Sequence, residues 1–169
     1  MRPVRRSRPG RTAWLGIAAA ALAAVAAALV SQHVFGMQPC PWCVLQRLIM
    51  MLLAFTALLG ALLGGLPGGL GRMLSRAIAA LALLLAGGGA AAALWQHFVA
   101  ARSDSCAMTL ADRILSGSGL DSRWPEVFAA YASCADAKVA LFGLPYEFWS
   151  LALFVLLGAA AARLVLTRR

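Results

Sequence analysis

This chain has 169 residues, of which 62% are hydrophobic and 12% charged, whereas a soluble domain carries about 45–50% apolar and about 25% charged residues. Length and composition together indicate a single membrane-integral domain and exclude a soluble globular enzyme. The net charge of +9 is sorted along the chain instead of gathered into one basic face, which excludes a nucleic-acid footprint.

Arg2, Arg5, Arg6, Arg8 and Arg11 precede the first apolar run, and no charged residue follows from Thr12 to Gln46. A transmembrane helix needs about 20 mostly apolar residues, so the first is predicted over 13–33. Basic residues ahead of Ala13–Val30 also resemble a secretory signal peptide. The apolar core of such a peptide spans only about 7–15 residues, and an uncleaved first helix is expected.

Cys40-Pro41-Trp42-Cys43 comes next, at the head of a second helix over 43–65. Pro41 suits a first helical turn. A Cys-x-x-Cys pair switches between dithiol and disulfide, and the unpaired N–H groups of a helix start favour a thiolate. The competing reading is half of a zinc site. Cys106 and Cys134 are too far apart in sequence to supply the other half, so no metal is expected. Arg47 follows Cys43 at i+4 on the same helix face. A guanidinium at that depth is costly and is retained where it meets an anion or a polar ligand. Gln46 is a candidate to orient Arg47 or a ligand.

Pro67-Gly68-Gly69 marks a turn, Arg72 and Arg76 follow it, and the third helix is predicted over 75–98. His97, near its end, matches the depth of Cys40–Arg47 and is a candidate donor to a ligand carbonyl. His33 has a weaker claim, since it simply ends the first helix. Trp14, Trp95 and Trp149 read as anchors in an aromatic belt.

The polar segment 100–144 holds Cys106 and Cys134, and all six acidic residues fall between Asp104 and Glu147. Trp124, Val127, Phe128 and Tyr131 recur at i, i+3, i+4 and i+7, one face of a short helix that lies on the bilayer or caps the bundle. Gly117-Ser118-Gly119 reads as flexible. A fourth helix is predicted over 145–164, with Arg163 snorkelling outward and Arg168 and Arg169 beyond it. The positive-inside rule sets both termini and the Arg72/Arg76 turn on the cytoplasmic side. All four cysteines then face the opposite compartment, which in a bacterium is oxidising. The fold class expected is an all-α membrane protein, an antiparallel four-transmembrane-helix bundle with a long periplasmic loop between helices 3 and 4.

Cys40-Pro41-Trp42-Cys43 with Arg47, Trp95-Gln96-His97, the pair Cys106 and Cys134, and the stretch from Trp124-Pro125 to Phe142-Gly143-Leu144 together resemble the disulfide bond formation protein B (DsbB) family. Its members are quinone-reducing membrane oxidases of the bacterial inner membrane. The resemblance implies that a reduced periplasmic thioredoxin-fold oxidase attacks Cys106 and releases Cys134. Cys134 then attacks Cys40 and frees Cys43, which passes electrons to a quinone, ubiquinone or menaquinone, beside Arg47. His97 and Gln46 are carried over as quinone-side residues. The chain departs from the family pattern at Gln46, where some relatives carry glutamate, and at Tyr146, where others carry methionine. Two other readings are a paralogue serving one dedicated partner, and a non-enzymatic scaffold or metal-binding protein with a structural loop disulfide.

Overall fold

The computed structural model describes residues 9–63, 66, 68–102, 108–137 and 139–166. Cys106, Pro67 and the arginines at 2–8 and 168–169 lie outside them. Four of its helices are long and apolar enough to cross a membrane. They are α1 (Pro9–His33), α2 (Pro41–Leu63), α3 (Gly68–Phe98) and α7 (Tyr146–Leu166). Between α3 and α7 the chain forms a 3-10 turn (Ala100–Arg102) and three short helices, α4 (Leu110–Ser118), α5 (Leu120–Arg123) and α6 (Pro125–Phe128). A two-stranded hairpin, β1 (Ala140–Leu141) and β2 (Leu144–Pro145), follows.

The four-helix bundle is as expected. α2 packs on both α1 and α3, and α7 packs chiefly on α3 and more lightly on α1. Several boundaries move, α1 starting at Pro9 and α7 ending at Leu166, and two of the shifts have a clear physical reason. α2 starts at Pro41 because Cys40 caps it: the Cys40 carbonyl accepts from Val44 N, and the Cys40 sulfur accepts from Cys43 N. α3 starts at Gly68, ahead of the window bounded by Arg72 and Arg76. Both arginines are exposed; charge limits a membrane span, but a helix can continue past it.

Small residues set how closely the helices approach. A Cβ on Gly60 would stand 2.6 Å from the Trp14 ring, and one on Gly89 would run into the Phe154 ring. Trp14 is therefore fully buried in the core and not an interfacial anchor, whereas Trp95 and Trp149 are half exposed. Phe154, Leu53, Ala57, Ala82 and Ala86 complete the same core.

The α3–α7 connection is more ordered than its composition suggests. Thr109 and Asp112 form a reciprocal capping box that starts α4, and Gly119, in the left-handed region at φ 66, ends it. Gly117 and Ser118 are thus helical, not a flexible linker. The amphipathic helix expected around Trp124–Tyr131 shortens to Pro125–Phe128, and the chain is already extended at Ala129. The cause is a tertiary clamp: the Pro39 carbonyl accepts from both Tyr131 N (3.0 Å) and Ala132 N (3.3 Å). Of the expected apolar stripe, Phe128 is buried while Trp124 and Tyr131 are exposed.

Because Gly89 faces a ring and Gly88 faces open space, alanine substitutions should separate. Gly89→Ala is expected to destabilise the bundle by about 1–3 kcal/mol, the scale of overpacking, and Gly88→Ala to leave it unchanged or firmer. Thermal unfolding in detergent, followed by tryptophan fluorescence, reads the difference.

Candidate redox centre

The site assembles at the end of the bundle where α2 begins. Cys40 is fully buried, and its Sγ lies 2.9 Å from the Sγ of Cys43. The Pro39 clamp carries the loop over this point, and Cys134 packs against the apolar cluster that holds Cys40. Cys40, Cys43 and Cys134 are all free thiols, with Cys40 touching both of the others. α4 roofs the group: Ala111 packs beside Cys40 and Trp42, and Leu115 packs with Val44 and Phe128.

Electrostatics differ along this row. Cys40 lies just ahead of the membrane-spanning helix, and its thiol is pushed up, first by its hydrogen bond to Cys134, then by that to Cys43 and by burial. Cys134 moves the other way, chiefly because the Cys40 thiol donates to it, with burial opposing. The two shifts favour the proton on Cys40 and ease its loss from Cys134, and the thiolate is the nucleophilic form.

Arg47 is buried one turn below Cys43. Its NH1 group donates to Gln32 Oε1 at 2.9 Å and to the Val127 carbonyl. Gln32 in turn donates to the Glu126 carbonyl, which His33 Nε2 also approaches at 3.2 Å. These carbonyls lie in the last turn of α6, where a helix leaves acceptors unused. Arg47 thus ties α1, α2 and the loop together, while its Nε has no hydrogen-bond partner among the described residues.

A cavity of about 290 Å³ lies alongside. Its walls are mostly apolar, with Ala24, Val25, Met50, Leu153 and Phe154 among them, and Cys43, Gln46, Arg47, Gln96, Tyr146 and Glu147 at its polar end. Gln46 and Tyr146 are thus wall residues. His97 is not: it is half-buried outside the cavity, with Nδ1 2.7 Å from Glu147 Oε1, and reaches the cavity only through that carboxylate. Among the described residues no group of three or more His, Cys, Asp or Glu side chains could hold a metal.

Three polar residues of the site, Gln32, Glu147 and Ser150, carried no local signal in the sequence, and Gln96 entered only within the Trp95-Gln96-His97 stretch with no role of its own. Ser150 donates to Gln46 Oε1, Gln46 Nε2 donates to Gln96 Oε1 (2.6 Å), and Gln96 Nε2 donates to Cys43 Sγ (3.2 Å). Each lies on a different helix from its partner, so neither spacing nor motif joins them. The one available hint was a polar or charged residue inside an apolar span.

In the reduced protein, Cys134 should be alkylated at lower pH than Cys40. Removing the donor in Cys40→Ala should shift the Cys134 profile to higher pH. Site-resolved mass spectrometry after iodoacetamide treatment measures both, and a Cys134 profile unmoved in Cys40→Ala would contradict the hydrogen bond.

A family model described as Disulfide bond formation protein DsbB matches residues 10–164. Disulfide bond formation protein B of Aromatoleum aromaticum is 32% identical over 162 residues, covering 94% of both chains. The protein of the same name from Nitrosospira multiformis is 31% identical over 163 residues, 95% of this chain and 94% of its own. Disulfide bond formation protein B 2 of Pseudomonas aeruginosa is 32% identical over 165 residues, 94% of this chain and 93% of its own. With the match running across all four membrane helices and both cysteine-bearing connections, the chain belongs to the DsbB family of multi-pass membrane proteins.

Proposed function

We propose that this thiol–disulfide oxidoreductase takes electrons from a periplasmic thioredoxin-fold oxidase at Cys106 and delivers them through Cys134, Cys40 and Cys43 to a membrane quinone. The contact of Cys134 with Cys40, itself beside Cys43 on the cavity wall, is the observation that carries this reading. Membership of the family makes the chain a disulfide oxidoreductase coupled to quinone; the assignment of steps to residues is the proposal.

In the resting oxidised form the disulfides are Cys106–Cys134 and Cys40–Cys43. A thiolate of the reduced partner bonds to Cys106 and breaks the bond to Cys134, which leaves as a thiolate. Cys134 bonds to Cys40 and displaces Cys43 as a thiolate. The partner's second thiolate attacks its own sulfur bound to Cys106, so the partner leaves oxidised and Cys106 leaves as a thiolate. Cys106 then attacks Cys134, restoring their disulfide and releasing Cys40. Two electrons now rest on Cys40 and Cys43. Each exchange needs a thiolate with access to the sulfur it attacks, and the Pro39 clamp supplies that access at Cys40.

The cavity suits a quinone on two grounds: its apolar walls match a lipid-soluble ring and tail, and the orphaned Arg47 Nε offers a donor at the polar end. A quinone bound there supplies the electron acceptor, taking up two electrons and two protons. Cys43 lies at the wall to release electrons, Arg47 and Gln46 orient the polar edge, and the apolar lining excludes water. His97 acts through Glu147.

The side of the membrane follows from charge. Exposed Arg72 and Arg76 at the α2–α3 end, with the arginines at both ends of the chain, support cytoplasmic termini in the bacterial inner membrane. The cysteines are then periplasmic.

Mixing the purified protein with a reduced thioredoxin-fold oxidase and quinone should bleach the quinone absorbance. The rate should vanish in Cys43→Ser and fall about a hundredfold in Arg47→Ala, the scale for losing one positioned donor. Unchanged turnover in Cys43→Ser would sink the relay. In Cys134→Ser a mixed disulfide through Cys106 should accumulate on non-reducing gels.

A further inference from the structure

Every thiolate intermediate of this relay is an anion that the protein must satisfy, and Cys43 has the hardest case. It lies in the first turn of the membrane-spanning α2, part-buried on the wall of a mostly apolar cavity, where a bare thiolate is costly unless it is hydrogen-bonded. Arg47 shares its helix face, yet both hydrogen bonds described for that guanidinium go elsewhere, to Gln32 and the Val127 carbonyl. Two side chains do meet the Cys43 sulfur: Cys40 Sγ at 2.9 Å and Gln96 Nε2 at 3.2 Å.

Only one of these persists. Once Cys40 is bonded to Cys134, its sulfur has no hydrogen to offer. Gln96 is then the one side-chain donor to Cys43 among the described residues. We propose that Gln96 is a catalytic residue of this enzyme, the amide donor that holds the Cys43 sulfur as a thiolate while Cys40 is engaged with Cys134, and that Gln46 and Ser150 are the positioning residues that point it.

The direction of that donor is set by its neighbours. A primary amide has one accepting and one donating end. Gln96 is buried, and its oxygen is occupied by Gln46 Nε2 at 2.6 Å. The Gln46 oxygen is occupied in turn by the Ser150 hydroxyl. A row of hydroxyl, amide and amide therefore runs from α7 through α2 to α3 and ends with an N–H directed at the sulfur. Reversing the row would place the Gln96 oxygen against a thiolate, two electron-rich atoms in contact. Charge on Cys43 and the polarity of the row support each other, as in other hydrogen-bonded chains at low dielectric. Gln46 thereby acts in a manner that depends on its being an amide.

The inference rests on the reading of Cys43 as the acceptor-side cysteine, so its test avoids turnover. The full-length protein carrying Cys40→Ala is reduced, freed of quinone in detergent, and treated with iodoacetamide across a pH series. Cys43 modification is read by mass spectrometry. Gln96→Met should slow modification at neutral pH about tenfold and move the profile about one pH unit to the alkaline side, the scale of one hydrogen bond to a charged group. Gln96→Glu, equal in size but without the amide donor, should do at least as much. Ser150→Ala should shift the profile in the same direction by less. If Gln96→Met does not fold by circular dichroism, Gln96→Glu alone decides. Profiles of the Gln96 variants that overlay the parent would overturn the role of Gln96 while leaving the relay intact. Turnover surviving in Cys43→Ser would overturn the relay without altering this result.

Discussion

Arg47 is the constraint from which much of this structure follows. A guanidinium in a membrane-spanning helix must find acceptors inside the protein, because the hydrocarbon offers none. It finds Gln32 on α1 and the Val127 carbonyl at the end of α6. Meeting that demand draws the long connection down onto the bundle, where α6, α4 and the start of α2 share an apolar contact through Phe128, Leu115 and Val44. One buried charge thus orders a segment whose own sequence is polar. A cavity wall and a docked loop come from the same side chain.

The bundle was legible because membrane helices announce themselves. Charge-free windows gave four spans, and the cysteines and Arg47 stood out as exceptions to the surrounding apolar sequence. Helix ends were less legible, since Arg72 and Arg76 bound the hydrophobic window and not the helix. Trp14 was misread as an anchor because tryptophan at a span's end satisfies either role. What decides is Gly60 on the facing helix, which leaves room for the indole ring, and that pairing has no trace in local sequence. α4 was the reverse case. Thr109, Asp112 and Gly119 spell a start and a stop in capping chemistry, but the glycines of 117–119 drew attention as breakers. α6 was read too long because a helical stripe continues to Tyr131, while the backbone there is claimed by Pro39.

At the site, the sequence pointed to the cysteines, to Arg47 and to Gln46, but not to the hydrogen bonds that join the neutral amides to one another. Gln32, Gln46, Gln96 and Ser150 make most of the hydrogen bonds that hold the polar end of the cavity together. Uncharged amides serve this purpose in a low-dielectric region because they give direction without a second charge to desolvate. Glu147 is the one acidic side chain among the described lining residues, and it lies 2.7 Å from His97 on the neighbouring helix. Depth at the end of the third helix, and then the family resemblance, led to His97; the carboxylate that links it to the cavity is visible only in three dimensions.

The Pro39 carbonyl has a kinetic meaning beyond its place in the fold. It binds the chain one residue before Cys40 and, on the other strand, two residues before Cys134. Two such short leashes leave the sulfurs almost no volume to explore apart from each other. Well-oriented intramolecular reactions have effective molarities of about 10⁵ M and above, so this exchange is insensitive to how much of the protein the membrane holds. In the relay proposed above, the encounter at Cys106 has no such advantage, so the abundance of the proposed soluble partner would set the pace of the thiol exchanges.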